Sequence, residues 1–229
     1  MEREILDEKS LPRCAICSQK YCSKGIKDHP HLPHFCPLKN FKMTIDKVKK
    51  RYKSHLIKNF YLCSAITEKE SYDEKACREE GKTIPIRPRI REIAEFAKLT
   101  KSKRIGMAFC SGLSDEAEKA SKILENHGLE ICSVICSCGA LDKTETGIPE
   151  RYKINKTKLF ESACNPLLQA ELLNQAKTDF NILIGLCVGH DMLFTKYSIA
   201  PVTTLIVKDR LTGHNPVASL YSKYYRDLV

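Results

Sequence analysis

Four cysteines near the start of the chain are spaced so that their thiolates can bind one metal centre. They form a C-x2-C-x4-C-x13-C-P arrangement that consists of Cys14, Cys17, Cys22 and Cys36, followed by Pro37. Two cysteines separated by two residues can present both thiolates to one metal ion without straining the backbone. Zinc takes four such ligands in a tetrahedron, and iron–sulfur clusters also commonly take four thiolates. The spacing therefore predicts an N-terminal metal site.

The identity of this metal stays open between an iron–sulfur cluster and zinc. Zinc ribbons normally close with a second C-x2-C pair, which this loop lacks. The Cys36-Pro37 ending is typical of ferredoxin-type clusters, but Cys22 lies too far from Cys17 for a C-x2-C-x2-C run. The histidines of the same loop, which can replace a thiolate, are His29, His31 and His34. We expect an iron–sulfur cluster, in the first instance of the 4Fe–4S type, with zinc as the alternative.

A second group of cysteines follows segments whose apolar pattern predicts buried strands. The group comprises Cys110, Cys136, Cys138, Cys164 and Cys187. Cys110, Cys136 and Cys187 each end a predicted strand, and Cys164 precedes a predicted helix. Ligands of open α/β sheets bind beyond the carboxyl ends of the strands. We therefore expect these cysteines to converge there as a second metal or cluster site, with a redox-active thiol set as the alternative.

Side chains suited to acid–base chemistry are predicted at the same edge, beside a possible small-molecule ligand. The candidate catalytic residues are Cys110, His190, Asp191 and His214. Each of the last three can equally serve as a helix cap, a surface hydrogen-bonding group or a partner of a metal ligand. A cysteine hydrolase built on Cys110 would leave the other strand-end cysteines unexplained. Walker, dinucleotide-binding and His-Glu-x-x-His motifs are absent from the sequence. Whether the protein is an enzyme stays open.

Apolar, β-branched segments alternate with helical patterns in the second half of the chain. The predicted strands are 104–110, 130–136, 180–187 and 201–208, and predicted helices follow at about 115–127, after Asn165-Pro166 and after Asn215-Pro216. Ser114 or Asp115 is the predicted cap of the first of these helices. Such alternation is typical of a mainly parallel sheet covered on both faces. We predict an α/β, Rossmann-like fold with an open sheet of about four strands.

The charge distribution and the helical periodicity divide the chain into three parts. Residues 1–103 contain 24 Lys and Arg against 14 Asp and Glu, whereas residues 104–229 contain 14 of each kind. We predict a Cys-rich metal-binding module at 1–41, a basic helical segment at 42–103, with one helical run from about 44 to 82, and an α/β domain at 104–229. The basic stretch 42–58 could bind nucleic acid or an acidic protein, although a solvated helix face explains it as well.

Twelve cysteines in a chain without a predicted signal sequence indicate a reducing compartment. No segment approaches the roughly 20 apolar residues that span a bilayer, so we expect a cytoplasmic protein without a membrane partner. Free cysteines also occur as small core residues, and this is our interpretation of Cys63, Cys77 and Cys132.

The chain resembles the domain-of-unknown-function 1847 family, small cysteine-rich proteins of anaerobic bacteria and archaea that are described as predicted metal-binding proteins. The matching stretches are Cys14-Ala-Ile-Cys17, RIGMAFCSGLSDEA (104–117), CNPLLQAELLN (164–174) and residues 185–221. The resemblance implies metal binding and no established reaction. Two hypotheses follow: an iron–sulfur protein that supports redox chemistry on a small molecule, and a non-enzymatic zinc-binding sensor, carrier or regulator.

Overall fold

The chain forms two compact units, residues 1–62 and 63–229. The computed structural model describes residues 11–155, 157 and 159–226. The division lies inside the segment that the sequence predicts to be basic and helical. No helix among the described residues is long and apolar enough to cross a membrane.

The described part of the first unit, residues 11–62, consists of short helices and turns without a buried core. Single 3-10 turns at Cys14–Ile16 and Tyr21–Lys24 precede helices α1 (Pro37–Asn40), α2 (Lys42–Arg51) and α3 (His55–Lys69); α3 continues into the second unit. Every described residue from 11 to 62 is exposed or only half-buried. The hydrophobic effect therefore contributes little to holding this unit together.

The second unit is built on four parallel strands flanked by helices. The strands are β1 (Arg104–Phe109), β2 (Glu130–Ile135), β3 (Phe180–Ile184) and β4 (Val202–Ile206). The remaining helices are α4 (Glu74–Glu80), α5 (Arg89–Thr100), α6 (Ser114–Asn126), α7 (Pro166–Gln175), α8 (His190–Tyr197), α9 (Val217–Tyr221) and α10 (Lys223–Arg226). The strand order is β2-β1-β3-β4 and every pair is parallel. The predicted α/β, Rossmann-like fold is confirmed.

A glycine in β1 leaves room for a polar side chain of the neighbouring strand β3. A Cβ atom at Gly106 would lie 1.8 Å from Oδ1 of Asn181 and 2.9 Å from Cδ1 of Leu173. The fully buried Asn181 accepts a hydrogen bond at Oδ1 from Thr178 and donates one from Nδ2 to Ser198. A satisfied polar side chain thus occupies the space that a side chain in β1 would need.

The helix boundaries follow local chemistry that the sequence predicts in part. Asn165 caps α7 as predicted, because its side chain accepts a hydrogen bond from the amide of Leu168. The predicted cap of α6 is wrong. A 3-10 turn precedes this helix, so Ser114 lies inside it and its hydroxyl donates to the carbonyl of Ser111. The single helical run predicted at 44–82 is three helices, α2, α3 and α4.

An irregular segment from Gly139 to Ser162 connects β2 to α7 and is fastened by ion pairs. Lys153, whose side chain is 3% exposed, lies with its Nζ atom 3.0 Å from Oδ1 of Asp142. Asp142 also accepts hydrogen bonds from the amides of Thr144 and Glu161. These bonds hold the pKa of Asp142 well below its ordinary value, the amide of Thr144 having the largest effect. The carboxylate thus anchors both ends of the segment.

Candidate functional site

The structure places the second cysteine group at the carboxyl edge of the sheet. Cys110 directly follows β1, Cys136 directly follows β2, and Cys187 lies three residues after β3. Cys164 immediately precedes Asn165, whose amide donates to the carbonyl of Cys136 at 2.7 Å. Because all four strands are parallel, these segments meet at one edge. Cys110 and Cys136 are buried, and the other two are half-buried.

The sulfur of Cys136 has several hydrogen-bonding neighbours. It accepts a hydrogen bond from the amide of Ser111 at 3.3 Å, and the Ser111 hydroxyl oxygen lies 3.8 Å away. The hydrogen bond from the Cys164 thiol has the largest effect on the pKa of Cys136, and the Ser111 and Cys110 groups add to it against the cost of burial. Together they lower this pKa to about 5. Within the pair of Cys136 and Cys164, the surroundings therefore favour the thiolate form of Cys136.

The thiol of Cys164 has the opposite character. Its pKa is raised, first by the hydrogen bond that it donates to Cys136, then by burial. Electrostatic interactions with Cys136, Cys187 and Cys110 raise this pKa further. The influence of all three on Cys164 indicates that the four sulfurs form one electrostatic group, which we call the edge thiol cluster: Cys110, Cys136, Cys164 and Cys187.

Two cations from the segment after β4 contact sulfurs of the edge thiol cluster. The Nζ atom of Lys208 lies 3.2 Å from the sulfur of Cys110, and a terminal guanidinium nitrogen of Arg210 lies 2.9 Å from the sulfur of Cys187. The sequence places Lys208 and Arg210 near His214 but does not reveal these contacts. Cations at such distances stabilise thiolates over thiols.

Cys138 differs from the other cysteines of its group. Its thiol lies 3.9 Å from the carbonyl oxygen of Asn165, to which it donates. Burial raises its pKa, and the charge of Cys136 raises it further. Cys138 is thus a neighbour of the edge thiol cluster that is held in the thiol form.

Gln169 joins the ends of two strands beneath the cluster, and sequence reasoning did not identify it. The side chain is fully buried, and Nε2 donates to the carbonyls of Phe109 at 3.2 Å and Val134 at 2.8 Å. Phe109 immediately precedes Cys110, and Val134 lies two residues before Cys136. The Oε1 atom has no partner among the described residues. Its place on the buried face of α7, at helical spacing with Pro166, Ala170 and Leu173, is the signal that could have indicated it.

The candidate acid–base residues hydrogen-bond within their own loops. Oδ1 of Asp191 accepts from the amides of Gly189 at 3.0 Å and Met192 at 2.7 Å, at the start of α8. Nδ1 of His214 accepts from the amide of Asp209 at 3.1 Å. His190, the first residue of α8, is half-buried and donates its amide to the carbonyl of Cys187. Their catalytic roles stay predictions.

The N-terminal cysteines lie in turns of the first unit. Cys14 begins one 3-10 turn, Cys22 lies in the next, and Cys36 precedes α1, which begins at Pro37. All four thiols are free, and the His29 ring stacks on Tyr21 with centroids 4.4 Å apart. Within the part of the chain that the structure describes, no three Cys, His, Asp or Glu side chains form a group that could hold a metal ion as placed.

Comparison with known proteins identifies the family. Residues 36–205 match the family of proteins of unknown function designated DUF1847. The chain belongs to the DUF1847 family. This DUF1847 protein is also 40% identical over 214 residues to an uncharacterized protein of Methanocaldococcus jannaschii, a match that covers 93% of this chain and 95% of the relative. The predicted resemblance is confirmed. The family match includes the whole edge thiol cluster and Cys36 but begins after Cys14, Cys17 and Cys22.

Proposed function

We propose that this DUF1847 protein binds an iron–sulfur cluster through the edge thiol cluster. The observation that carries the proposal is the convergence of four cysteines, from four separate segments, at a sheet edge where an amide and two cations contact their sulfurs. Four thiolates are the ligand set that such clusters commonly take. The chemical type of the four donors therefore fits the group, while as placed no three of the described Cys, His, Asp or Glu side chains form a metal-holding set.

The surrounding charges support a thiolate-ligated centre. Several thiolates in a half-buried site repel one another, and opposite charges or N–H donors are needed to offset that repulsion. Lys208 and Arg210 supply positive charge to Cys110 and Cys187, while the amide of Ser111 donates to Cys136. Hydrogen bonds to sulfur also tune the reduction potential of iron–sulfur clusters.

We propose a second, separate metal site on the N-terminal loop, held by Cys14, Cys17, Cys22 and Cys36. Folding units of this size that lack a hydrophobic core usually depend on disulfides or a structural metal. All four cysteines are free thiols, and no described residue from 11 to 62 is buried. A metal bound by these thiolates would provide the missing cross-link. Iron–sulfur and zinc are both compatible with the ligands.

At the edge, an iron–sulfur cluster would supply one-electron transfer to or from a small molecule bound beside it. The protein itself would orient the thiolates through the strand ends that Gln169 joins, and would balance their charge with Lys208 and Arg210. Cys138 and His190 are the further side chains available to a ligand at this edge.

Anaerobic purification with iron, sulfide and zinc analysis tests the edge site. A Cys14→Ser/Cys22→Ser background removes the N-terminal site, so that the remaining metal reports on the edge. In that background, we expect Cys110→Ser, Cys136→Ser, Cys164→Ser and Cys187→Ser each to lose most of the iron and the visible charge-transfer absorbance. Cys132→Ser, on β2 but away from the strand end, is the matched control and should retain both.

The same experiment separates the alternatives. Zinc without sulfide or colour would contradict the iron–sulfur form and favour the non-enzymatic zinc protein. Metal lost only from variants of the N-terminal cysteines would contradict an edge site. A background protein with no more metal than its Cys110→Ser/Cys187→Ser derivative would contradict metal binding at the edge altogether.

The pair Cys136 and Cys164, whose sulfurs shift each other's pKa in opposite directions, favours a second candidate function, reversible thiol oxidation at the edge. One member is held as a thiolate and the other as a thiol, which is the arrangement of an attacking cysteine and its partner. Treatment of the metal-free protein with oxidised glutathione followed by peptide mass mapping tests it. A Cys136–Cys164 disulfide is expected. Glutathione adducts without an internal disulfide would contradict it.

A further inference from the structure

The hairpin of α2 and the first half of α3 carries a strong positive charge. We call residues 42–62 the basic hairpin. It contains seven Lys and Arg against one acidic residue, Asp46. All eight of these charged residues are exposed, and Asp46 pairs with Lys49 at 3.0 Å. The first unit as a whole, residues 1–62, has fourteen Lys and Arg against six Asp and Glu. This unit therefore presents a field that attracts polyanions.

Two tyrosines meet at the bend of the basic hairpin. The ring of Tyr52, at the end of α2, lies with its centroid 5.0 Å from that of Tyr61 in α3, with an angle of 53° between the ring planes. Tyr52 is 46% exposed and Tyr61 is 58% exposed. A shallow groove lined by Val48, Arg51, Tyr52 and Ile57 adjoins the pair. Large aromatic surface is thus left in solvent where the positive charge is densest.

We infer that the basic hairpin binds single-stranded nucleic acid. Proteins that bind single strands combine a positively charged groove that follows the phosphates with aromatic rings on which the bases stack. Here Arg51 and Lys53 flank Tyr52 in sequence, and Lys50 and Lys58 lie within the same hairpin. The rings would hold bases while these cations neutralise the adjoining phosphates. This function is independent of metal binding at the sheet edge.

The tyrosine pair distinguishes a single strand from other anionic partners. Bases in a duplex are stacked on one another, so their faces are not available to a surface ring. A helix that lies on a membrane needs a continuous apolar face opposite its charged face. In α2 the strongly exposed apolar side chain is Met43, whereas Ile45 is half-buried and Val48 is 37% exposed. In the first half of α3, Leu56 is 81% exposed and Leu62 is 53% exposed, so binding to phospholipid vesicles is included in the test below. An acidic protein would pair with the cations but has no specific use for adjacent exposed rings.

Fluorescence anisotropy of the full-length protein with labelled single-stranded RNA and DNA oligonucleotides, across a range of salt concentrations, tests the inference. We expect Tyr52→Ala and Tyr61→Ala each to weaken binding roughly 5- to 100-fold at constant salt, because stacking of a base on an aromatic ring is lost. Tyr52→Phe keeps the ring and should bind like the wild-type protein. Neither alanine substitution should change the slope of the logarithm of affinity against the logarithm of salt.

Charge substitutions test the phosphate contacts separately. Lys50→Gln/Arg51→Gln/Lys53→Gln should lower the magnitude of the salt slope by up to about 2, since each phosphate contact on a single strand contributes about 0.7. The matched control, Lys75→Gln/Lys119→Gln/Lys122→Gln, removes the same charge from exposed positions of α4 and α6 and should leave the slope unchanged.

Several results would overturn the inference. Undetectable binding at low salt would do so, as would alanine variants of the tyrosines that bind like the wild type. If heparin or a duplex of the same length bound as tightly as the single strand, the basic hairpin would be a surface that binds polyanions in general. Preferential binding to anionic phospholipid vesicles or to poly-glutamate would assign it to a membrane or to an acidic protein instead.

Discussion

At the sulfur of Cys136, hydrogen bonding outweighs the cost of burying a charge. The residue is only 4% exposed, and burial alone would favour its neutral form. Donors from Cys164, Ser111 and Cys110 reverse this preference and lower the pKa to about 5. An anionic sulfur at neutral pH is the form that binds metals and attacks disulfides.

In the reduced, metal-free protein, we expect iodoacetamide to alkylate Cys136 at a lower pH than an ordinary cysteine. The rate should rise to a plateau above about pH 5, because the thiolate reacts and its pKa is lowered to about 5. Cys164→Ala removes the largest cause of this shift and should move the midpoint upward by at least about one pH unit. Peptide mass spectrometry measures each cysteine separately. A midpoint near 9 in the wild-type protein, the ordinary value, would contradict the hydrogen-bonded thiolate.

The sequence identifies the cysteines of the edge but not the groups that control them. Cysteines at the ends of three β-like segments can be recognised by their local pattern. The contact between Lys208 and Cys110 joins residues 98 positions apart, and it exists because β4 is placed beside β3 and not elsewhere in the sheet. Gln169 is equally hidden, because its role depends on where α7 crosses the strand ends.

At the scale of elements, the side chain of Asn181 in β3 fits over β1 because Gly106 has no side chain. Gly106→Ala would place a methyl group against the buried Asn181 and Leu173. We expect a loss of about 3 kcal/mol in the free energy of unfolding, at the upper end of the usual cost of overpacking. Urea denaturation followed by circular dichroism measures it. Gly112→Ala is the control, because its new methyl group would meet the flexible end of Lys208 at 3.3 Å.

An unchanged urea midpoint for Gly106→Ala would mean that the side chains of Asn181 and Leu173 are packed less tightly against Gly106 than described. A loss of similar size for Gly112→Ala would mean that any added methyl group destabilises this edge, whatever it contacts.

The segment between β2 and α7 depends on an ionised Asp142. The pKa of this carboxyl is lower in the folded protein than in the unfolded chain, so its stabilising effect is complete above the ordinary carboxyl range and is lost as the pH falls below about 4. The pKa of Glu161 is also lowered, to about 2, mainly by the hydrogen bond from the amide of Asn155. Its stabilising effect is therefore lost in the same direction, as the pH falls. We expect Asp142→Asn to lower the hydrogen-exchange protection of residues 141–163 roughly tenfold at neutral pH, through the loss of a buried hydrogen-bonded charge.

The control for Asp142→Asn is Glu145→Gln, an exposed residue of the same segment, which should leave protection unchanged. Wild-type protein transferred from neutral pH to about pH 3 should lose protection in the same residues once intrinsic exchange rates are taken into account. Protection that is insensitive to both changes would contradict the anchoring role of Asp142.

The helices and strands of the second unit are predicted from its sequence more accurately than the helices of the first. Buried parallel strands are continuous apolar segments, and all four are found within three residues of the predicted bounds. The helical pattern at 44–82 conceals two breaks, at Tyr52–Ser54 and Glu70–Asp73, that contain neither glycine nor proline. Without a core to fix one face, the apolar periodicity of this region does not reveal where a helix stops.

At the scale of the whole molecule, the two units are stabilised in different ways. The second unit has an apolar core that extends from α5 through the sheet to α8. In the first unit, no residue from 11 to 62 is buried. If the N-terminal cysteines bind a metal, its removal should unfold the first unit and spare the second.

Hydrogen exchange of the metal-loaded and chelator-treated protein tests this difference. We expect amides of α2 to lose at least about tenfold in protection on metal removal, while those of β1 and β3 change little, because binding free energy becomes folding free energy in small metal-dependent units. Cys14→Ser/Cys17→Ser should reproduce the loss. Unchanged protection in α2 after metal analysis confirms complete removal would contradict a structural metal in the N-terminal loop.

The wide separation of the edge cysteines along the chain also affects the growing polypeptide during synthesis. The four N-terminal cysteines are all present once residue 36 has left the ribosome. The edge thiol cluster has its last cysteine only at Cys187, and its cationic contact from Arg210 comes later still. While residues 137–187 are being added, Cys110 and Cys136 therefore lack some of their final partners. A cell that makes this protein must protect those sulfurs from oxidation until the last strand has joined the sheet.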